Sequence, residues 1–424
     1  MRYVDLDQFR GPCECGREHA VDVEKVVIGH DALRRLPHML EDGALDIYEQ
    51  PVVLCDANTR AAAGGQIPDL MRRLPVVELD PEGLHATEGA VALVAERLPE
   101  DVDLIVALGS GTIHDLARYT AHDRGIAFVS CPTAASVDGF VSTVAAMTWH
   151  GMKRTFPAVP PIAVVADTAV LSQAPRRLTA SGAADLFGKY CCILDWRIAH
   201  EVTGEYICER TCRMALEAAD DVMACVDGLD AGDEEAYANL IYALLLSGLA
   251  MQMIGNSRPA SCAEHHMSHL WEMNVINDEV DALHGEKVGV GLVLVARRYK
   301  RVAEALREGR YEVRPWGGLE RDLLERTFGA RGLLEGVLAE NDPDPLASVA
   351  PDMLERAVPE IVRLVDETLP DPDDLIAKLE GCGCPTTMAD LGLDPALAEL
   401  SLDLSPYVRQ RLSFNRLTKM IEVG

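Results

Sequence analysis

Four of the chain's twelve histidines stand close together, as His265, His266, His269 and His284. Imidazole is the commonest metal ligand among side chains. Residues four apart on a helix share a face, so His265 and His269 point the same way. His266 is turned away by roughly 100° and suits packing or support of its neighbours. His284 sits just before a Gly-started helix in Leu283-His284-Gly285-Glu286-Lys287, where a ligand can be held rigidly. Two imidazoles and one carboxylate would leave a coordination position open, as a catalytic metal requires. Spacing alone does not select the carboxylate. A pair of hydrogen-bonded structural histidines is the competing reading.

A second group suits a phosphate. The apolar run Asp103-Leu-Ile-Val-Ala107 leads into Leu108-Gly109-Ser110-Gly111-Thr112-Ile113-His114-Asp115. Small residues let backbone amides approach a ligand, and a following helix turns its positive end toward the loop. The pattern is shorter than G-x-G-x-x-G, and two glycines also serve plain turn geometry. Asp56, at the end of an earlier apolar run, suits either a ribose hydroxyl or a helix N-cap. A hydroxyl-rich segment, Cys131-Pro-Thr133-Ala-Ala-Ser136-Val-Asp138-Gly-Phe-Val-Ser142, offers Thr133, Ser136 and Ser142 to a cofactor and Asp138 to a substrate, against ordinary turn chemistry.

The elements that must carry these groups divide by pattern. Short Val- and Ile-rich runs at 25–29, 51–55, 103–107, 127–130 and 162–166 alternate with helical patterns at 31–41, 58–74, 86–98 and 112–122. That alternation predicts a parallel sheet covered on both faces. From about 174 onward strands are not expected. Apolar residues at helical spacing fill 209–225, 235–254 and 287–306. The prediction is an α/β nucleotide-binding domain over 1–172 and an all-α metal- and substrate-binding domain over 173–424.

Composition narrows the function. The 424 residues carry 68 Asp plus Glu against 39 Lys plus Arg, a formal charge of −29. So acidic a surface repels nucleic acid and anionic lipid. An anionic substrate needs local cations, with Lys153, Lys189, Arg258 and Lys287 near the motifs. No apolar run approaches the ~20 residues of a membrane span, and the start has no apolar signal core. Twelve scattered cysteines fit free thiols in a reducing compartment. The expected location is the cytoplasm. Cys13-Glu-Cys15 with His19 could seed a metal site, but no fourth ligand is visible, and a free-thiol loop is the preferred reading.

Taken in order, Val52-Val-Leu-Cys-Asp-Ala-Asn58, Gly109-Ser-Gly-Thr-Ile-His-Asp115, Pro132-Thr-Ala-Ala-Ser-Val-Asp-Gly-Phe140, Gly182-Ala-Ala-Asp185, Ser257-Arg-Pro-Ala-Ser261, Glu264-His-His266 and His284-Gly285 resemble the sn-glycerol-1-phosphate dehydrogenases. These belong to the dehydroquinate synthase and iron-type alcohol dehydrogenase superfamily, and the likeness is to the bacterial AraM-like branch. It covers roughly 25–295. Ser110 stands where many relatives carry glycine, and Cys262 where they usually carry glycine.

The resemblance implies a dehydroquinate synthase-like fold. It implies Asp185, His265 and His284 as ligands of one divalent metal (zinc or nickel, with iron open). It places Asp138, Asp185 and His269 beside the substrate. It places Asp56, Gly109, Ser110, Gly111, Thr112, Asp115, Thr133, Ser136 and Ser142 around NAD(P). The implied reaction is reversible reduction of dihydroxyacetone phosphate to sn-glycerol 1-phosphate by NADH or NADPH. A homodimer is the default expectation for the assembly, since most soluble homo-oligomers are two-fold dimers. Alternatives are another polyol or alcohol dehydrogenase of the superfamily, or a sugar-phosphate cyclase resembling dehydroquinate synthase.

Overall fold

A computed structural model describes residues 1–424. In chain order the strands are β1 (Arg2–Tyr3), β2 (Gly11–Pro12), β3 (Glu18–His19), β4 (Lys25–Gly29), β5 (Pro51–Asp56), β6 (Val76–Leu79), β7 (Leu104–Gly109), β8 (Ala127–Pro132), β9 (Val144–Trp149), β10 (Met152–Pro157), β11 (Ala163–Asp167), β12 (Tyr311–Val313) and β13 (Ile421–Val423). The chain forms two compact units, each discontinuous in sequence. The first takes 1–186 and 220–257, and the second takes 187–219 and 258–424. The expected boundary near 172 falls inside the first unit.

The first unit is built on a seven-stranded sheet in the order β1-β4-β11-β8-β7-β5-β6. All neighbours are parallel except β1, which runs antiparallel along β4. The five apolar runs seen in the sequence are its five longest strands. Their side chains alternate between two cores. Val53, Cys55, Leu104, Val106 and Val129 enter one, while Val52, Leu54, Ile105, Ala107 and Phe128 enter the other. Burial on both faces explains why these strands read as continuous apolar runs. The parallel strands β5, β7, β8 and β11 end together at Asp56, Gly109, Pro132 and Asp167, the edge where open α/β sheets bind ligands.

Several expectations need correction. Strand β6 and the hairpin β9–β10 went unread, because β6 is short and β10 is largely exposed. The helix expected over 58–74 is two, Ala57–Ala63 and Pro68–Arg73, broken at Gly64 and Gly65 before a proline. Strands do recur after 174, as the antiparallel pair β12–β13. Helix Glu234–Ile254 is long and apolar enough to cross a membrane by composition, but 83% of its most apolar window is buried within the protein. Its face toward the sheet and its opposite face are both covered, so hydropathy alone misreads it.

The second unit is helical around Ala263–Glu272, His284–Arg307 and Pro351–Thr368. Gly291 lets the first two approach closely, since a Cβ there would lie 2.7 Å from the Glu264 carbonyl oxygen. The C-terminal segment is pinned by Arg416. Its guanidinium meets Asp344 at 2.7 Å with both side chains essentially fully buried. It also donates to the carbonyls of Pro406 at 2.7 Å and Arg409 at 2.9 Å. Removing one partner of such a pair strands the other charge in an apolar interior. Arg416→Ala is therefore expected to cost about 3–5 kcal/mol in urea unfolding, whereas the double change Asp344→Asn with Arg416→Met should recover much of that loss.

Candidate functional site

In the first unit the glycine loop forms as its sequence suggests. Strand β7 ends at Gly109, Ser110 is extended, and helix Gly111–Arg124 begins at once. A Cβ on Gly109 would stand 2.5 Å from the Ile113 Cβ, and one on Gly111 would press Val137 at 3.1 Å. Gly109 is thus required by packing, whereas at Gly111 a side chain would need Val137 to give by a few tenths of an ångström. Three lateral bonds fix the turn. Thr133 donates its backbone N–H to the Gly109 carbonyl at 2.9 Å. His114 bridges the Ser110 carbonyl and the Ser130 hydroxyl, each at 2.8 Å. Burial pushes the His114 pKa down to about 3, so the ring is neutral. Its Nδ1–H donates to the carbonyl and its Nε2 accepts from the hydroxyl.

Asp56 serves as the N-cap of helix Ala57–Ala63, accepting from Thr59 N at 2.9 Å in a reciprocal capping box. Asp115 faces Arg118 at 3.7 Å. Arg118 is itself buried and donates to the carbonyls of Ser142 at 3.3 Å and Val144 at 3.1 Å. Ser136 and Thr133 are buried, and Ser142 accepts from Val144 N at 3.1 Å. Thr112 lies half-buried in the first turn of its helix.

The segment after β8 lies directly against helix Arg176–Thr203. A Cβ on Gly182 would fall 2.0 Å from the Ala135 carbonyl oxygen. Ser181 donates to the Ser136 carbonyl at 3.2 Å. Asp138 gives its backbone N–H to Asp185 Oδ2 at 2.9 Å, and its own Oδ2 accepts from Ser247 at 2.8 Å. Asp185 is fully buried. Two candidate substrate residues, Asp138 and Asp185, therefore stand side by side.

The second unit gathers the histidines. His265 and His269 lie on helix Ala263–Glu272, and His284 is the first residue of helix His284–Arg307. Ring centroids are 5.3 Å apart for His265–His284, 5.5 Å for His269–His284 and 6.1 Å for His265–His269. Each ring meets a carboxylate through Nδ1, His265 with Glu264 at 2.7 Å, His284 with Glu272 at 2.9 Å and His269 with Glu272 at 3.4 Å. Burial lowers the His269 pKa to about 3 against the raising effect of Glu272. Burial pushes the Glu264 carboxyl up, but His265, Cys191 and Lys189 together outweigh it and hold the group below its usual range. His266 is fully buried with neither ring nitrogen hydrogen-bonded, which makes it a packing residue.

Of the expected phosphate cations, Lys189 is buried and donates to the Ala260 carbonyl at 2.8 Å. Arg258 pairs with Glu205 at 2.9 Å and donates to the Leu412 carbonyl at 2.9 Å. Lys287 meets Glu272 at 3.3 Å. Lys153 lies on β10, half-buried. Sequence reasoning missed Glu264 and Glu272, which flank the histidines on one helix, and Arg409 and Arg411, whose charges reach His266. The first pair carried a signal, a carboxylate within three residues of each proposed His on that helix. The arginines carried none.

Parallel strands ending at a glycine turn, with a helical unit bearing clustered imidazoles, define a class, the iron-type alcohol dehydrogenase fold. Residues 27–175 match the iron-containing alcohol dehydrogenase family. A glycerol-1-phosphate dehydrogenase [NAD(P)+] of Geobacillus thermodenitrificans is 33% identical over 96% of this chain and 94% of its own. Its counterpart in Halalkalibacterium halodurans is 34% identical over 94% and 93%. A putative alcohol dehydrogenase structure from Ralstonia eutropha superposes with TM-score 0.59 over 95% of both chains at 18% identity. The chain belongs to the glycerol-1-phosphate dehydrogenase [NAD(P)+] family.

The Gly182 contact gives a prediction. Gly182→Ala should push the Ala135–Ser136 backbone away from the helix and destabilise the protein by about 1–3 kcal/mol. Thermal unfolding measures the cost, and dinucleotide titration by NADH fluorescence should show weaker binding at temperatures where the variant stays folded.

Proposed function

We propose that the protein reduces dihydroxyacetone phosphate to sn-glycerol 1-phosphate with NADH or NADPH, reversibly, using one divalent cation held by Asp185, His265 and His284. Family membership supports the reaction. The observation that carries the metal assignment is the pair of carboxylate-held imidazoles, His265 on Glu264 and His284 on Glu272. A carboxylate on Nδ1 fixes the tautomer and directs Nε2 at a metal. Two imidazoles bound tetrahedrally through nitrogens at about 2.05 Å have ring centroids about 5 Å apart, and the His265–His284 pair stands at 5.3 Å. The donor set fits a divalent cation and does not choose among zinc, nickel and iron.

When bound, the cation supplies Lewis acidity to the ketone oxygen. The chain's own residues do the rest. Asp138 holds Asp185 in one orientation through its backbone N–H. His269, stacked 5.5 Å from His284, holds a substrate hydroxyl or passes its proton. The Gly109–Gly111 turn and the amides of the helix behind it receive the pyrophosphate, and Thr133, Ser136 and Ser142 line the hydroxyl-rich loop beside it. Asp56, already a helix cap, has a second oxygen to offer the adenosine ribose. The protein works as a dissolved cytoplasmic enzyme, assembled as a homodimer.

A second reading has its own observation. The donor atoms of His269, Glu272 and His284 all lie within 4.8 Å of one another, so these three could be the ligands instead. Variants separate the two. His265→Ala should lose the one cation of the reaction site and all turnover, while His269→Ala should keep that cation and lose most turnover. Metal retained by the first and lost by the second would establish the His269 set. Glu272→Gln should weaken metal affinity about ten- to hundred-fold if Glu272 only orients His284.

The reaction is tested by following NADH oxidation with dihydroxyacetone phosphate after loading each metal separately. Oxidation of NADH with the phosphate ester, and no reduction of NAD+ with unphosphorylated glycerol, is expected. The reverse preference would make the protein a polyol dehydrogenase. Conversion of a sugar phosphate with no net change in NADH would make it a cyclase.

A further inference from the structure

The N-terminal segment binds no group in the reading above, yet its hairpin is built around soft ligands. Strands β2 and β3 pair antiparallel, and between them Cys13 and Gly16 close a tight turn. Gly16 adopts a left-handed φ of 83°, which brings the strands back on themselves. The sulfurs of Cys13 and Cys15 and a ring nitrogen of His19 come within 4.8 Å of one another. None of the chain's cysteines is in a disulfide.

The histidine is oriented as a ligand would be. His19 is buried, and its Nδ1 lies 2.7 Å from the Met253 carbonyl oxygen. A carbonyl can only accept, so Nδ1 carries the proton and Nε2 presents its lone pair. That lone pair faces Cys15, with Nε2 and Sγ 3.4 Å apart. On a tetrahedral zinc, with Zn–S near 2.3 Å and Zn–N near 2.05 Å, the same two atoms stand about 3.6 Å apart. Cys13 and Cys15 are half-buried, which leaves an entry path for an ion.

We propose that Cys13, Cys15 and His19 hold a structural zinc ion, separate from the cation of the reaction. Binding releases the two thiol protons to solvent as the sulfurs become thiolates. Two thiolates and an imidazole favour zinc over harder cations. A further thiol or a water completes the shell. The ion would tie the N-terminal hairpin to the end of helix Glu234–Ile254. There Gln252 accepts the Asp22 N–H at 2.8 Å and donates to the Val141 carbonyl in the hydroxyl-rich loop. The site thus braces the hydroxyl-rich loop from within the same unit.

The test uses the full chain, purified without chelator, saturated with zinc and desalted. Elemental analysis should find one zinc per chain more than the double variant Cys13→Ser/Cys15→Ser retains, and His265→Ala should keep that zinc. Equal zinc in the wild type and the double variant would overturn the proposal. Cobalt reconstitution of the unmutated chain guards against misfolding of the variant. The proposed reaction site offers only nitrogen and oxygen, so a thiolate-to-cobalt charge-transfer band in the near ultraviolet reports the hairpin. Band intensity for two or three thiolates, lost on alkylating Cys13 and Cys15, supports the site. Absence of the band overturns it.

Discussion

The architecture of the first unit depends on one close approach, where helix Arg176–Thr203 meets the segment after β8. No side chain fits at Gly182, because the Ala135 carbonyl occupies the place a Cβ would take. Once backbone touches backbone there, the neighbours are determined. Ser181 reaches the Ser136 carbonyl, and Asp185 takes the Asp138 N–H. A residue proposed for the cation and a loop proposed for the dinucleotide are thereby fixed in one frame. Hydride transfer demands that reacting atoms be held to within fractions of an ångström. A helix locked onto the loop supplies that rigidity without any ligand present.

The second unit solves a related problem by other means. Its imidazoles are held by carboxylates on the same helix, Glu264 beside His265 and Glu272 three residues after His269. An imidazole with its Nδ1 engaged cannot rotate or change tautomer freely, so the ring arrangement precedes any metal. Buried carboxylates are costly on their own. Glu264 is fully buried, and His265, with Cys191 and Lys189, holds its pKa below the ordinary range despite that burial. Charge that would destabilise an isolated site is thus matched within it.

Much of this was legible because the relevant signals are local. Strands buried on both faces must be apolar at every position, so β4, β5, β7, β8 and β11 stood out. The glycine turn and the i, i+4 histidines are likewise properties of adjacent residues. What escaped depends on contacts remote in sequence. Strand β6 is four residues long and edges the sheet. Helix Glu234–Ile254 belongs to the first unit although it follows long helical stretches, and no period in its sequence says which unit it joins. Asp56 was readable equally as a cap or a ribose ligand, and the capping box realises the first without consuming both carboxylate oxygens. Arg258 and Lys189, plausible phosphate anchors by position, turn inward to carbonyls, Lys189 from the middle of helix Arg176–Thr203 and Arg258 from the segment before helix Ala263–Glu272.

The net charge of −29 poses the remaining question, since both proposed ligands are anions. At physiological ionic strength surface charges are screened beyond about 8 Å. A bulk negative charge therefore governs how fast an anion arrives more than how tightly it is held. Holding depends on donors inside that radius. For the dinucleotide these are backbone amides, which carry no net charge and are unaffected by the acidic composition. For the substrate phosphate, Arg258, Lys189 and Lys287 are each already committed to carbonyls or carboxylates. The charges felt at the histidine cluster come instead from the C-terminal segment, with Arg409 acting on both His266 and His269. That segment is the one pinned by Arg416 and Asp344. A cation placed beside the imidazoles by a buried ion pair keeps its position in a protein whose overall field would otherwise draw basic side chains toward surface carboxylates.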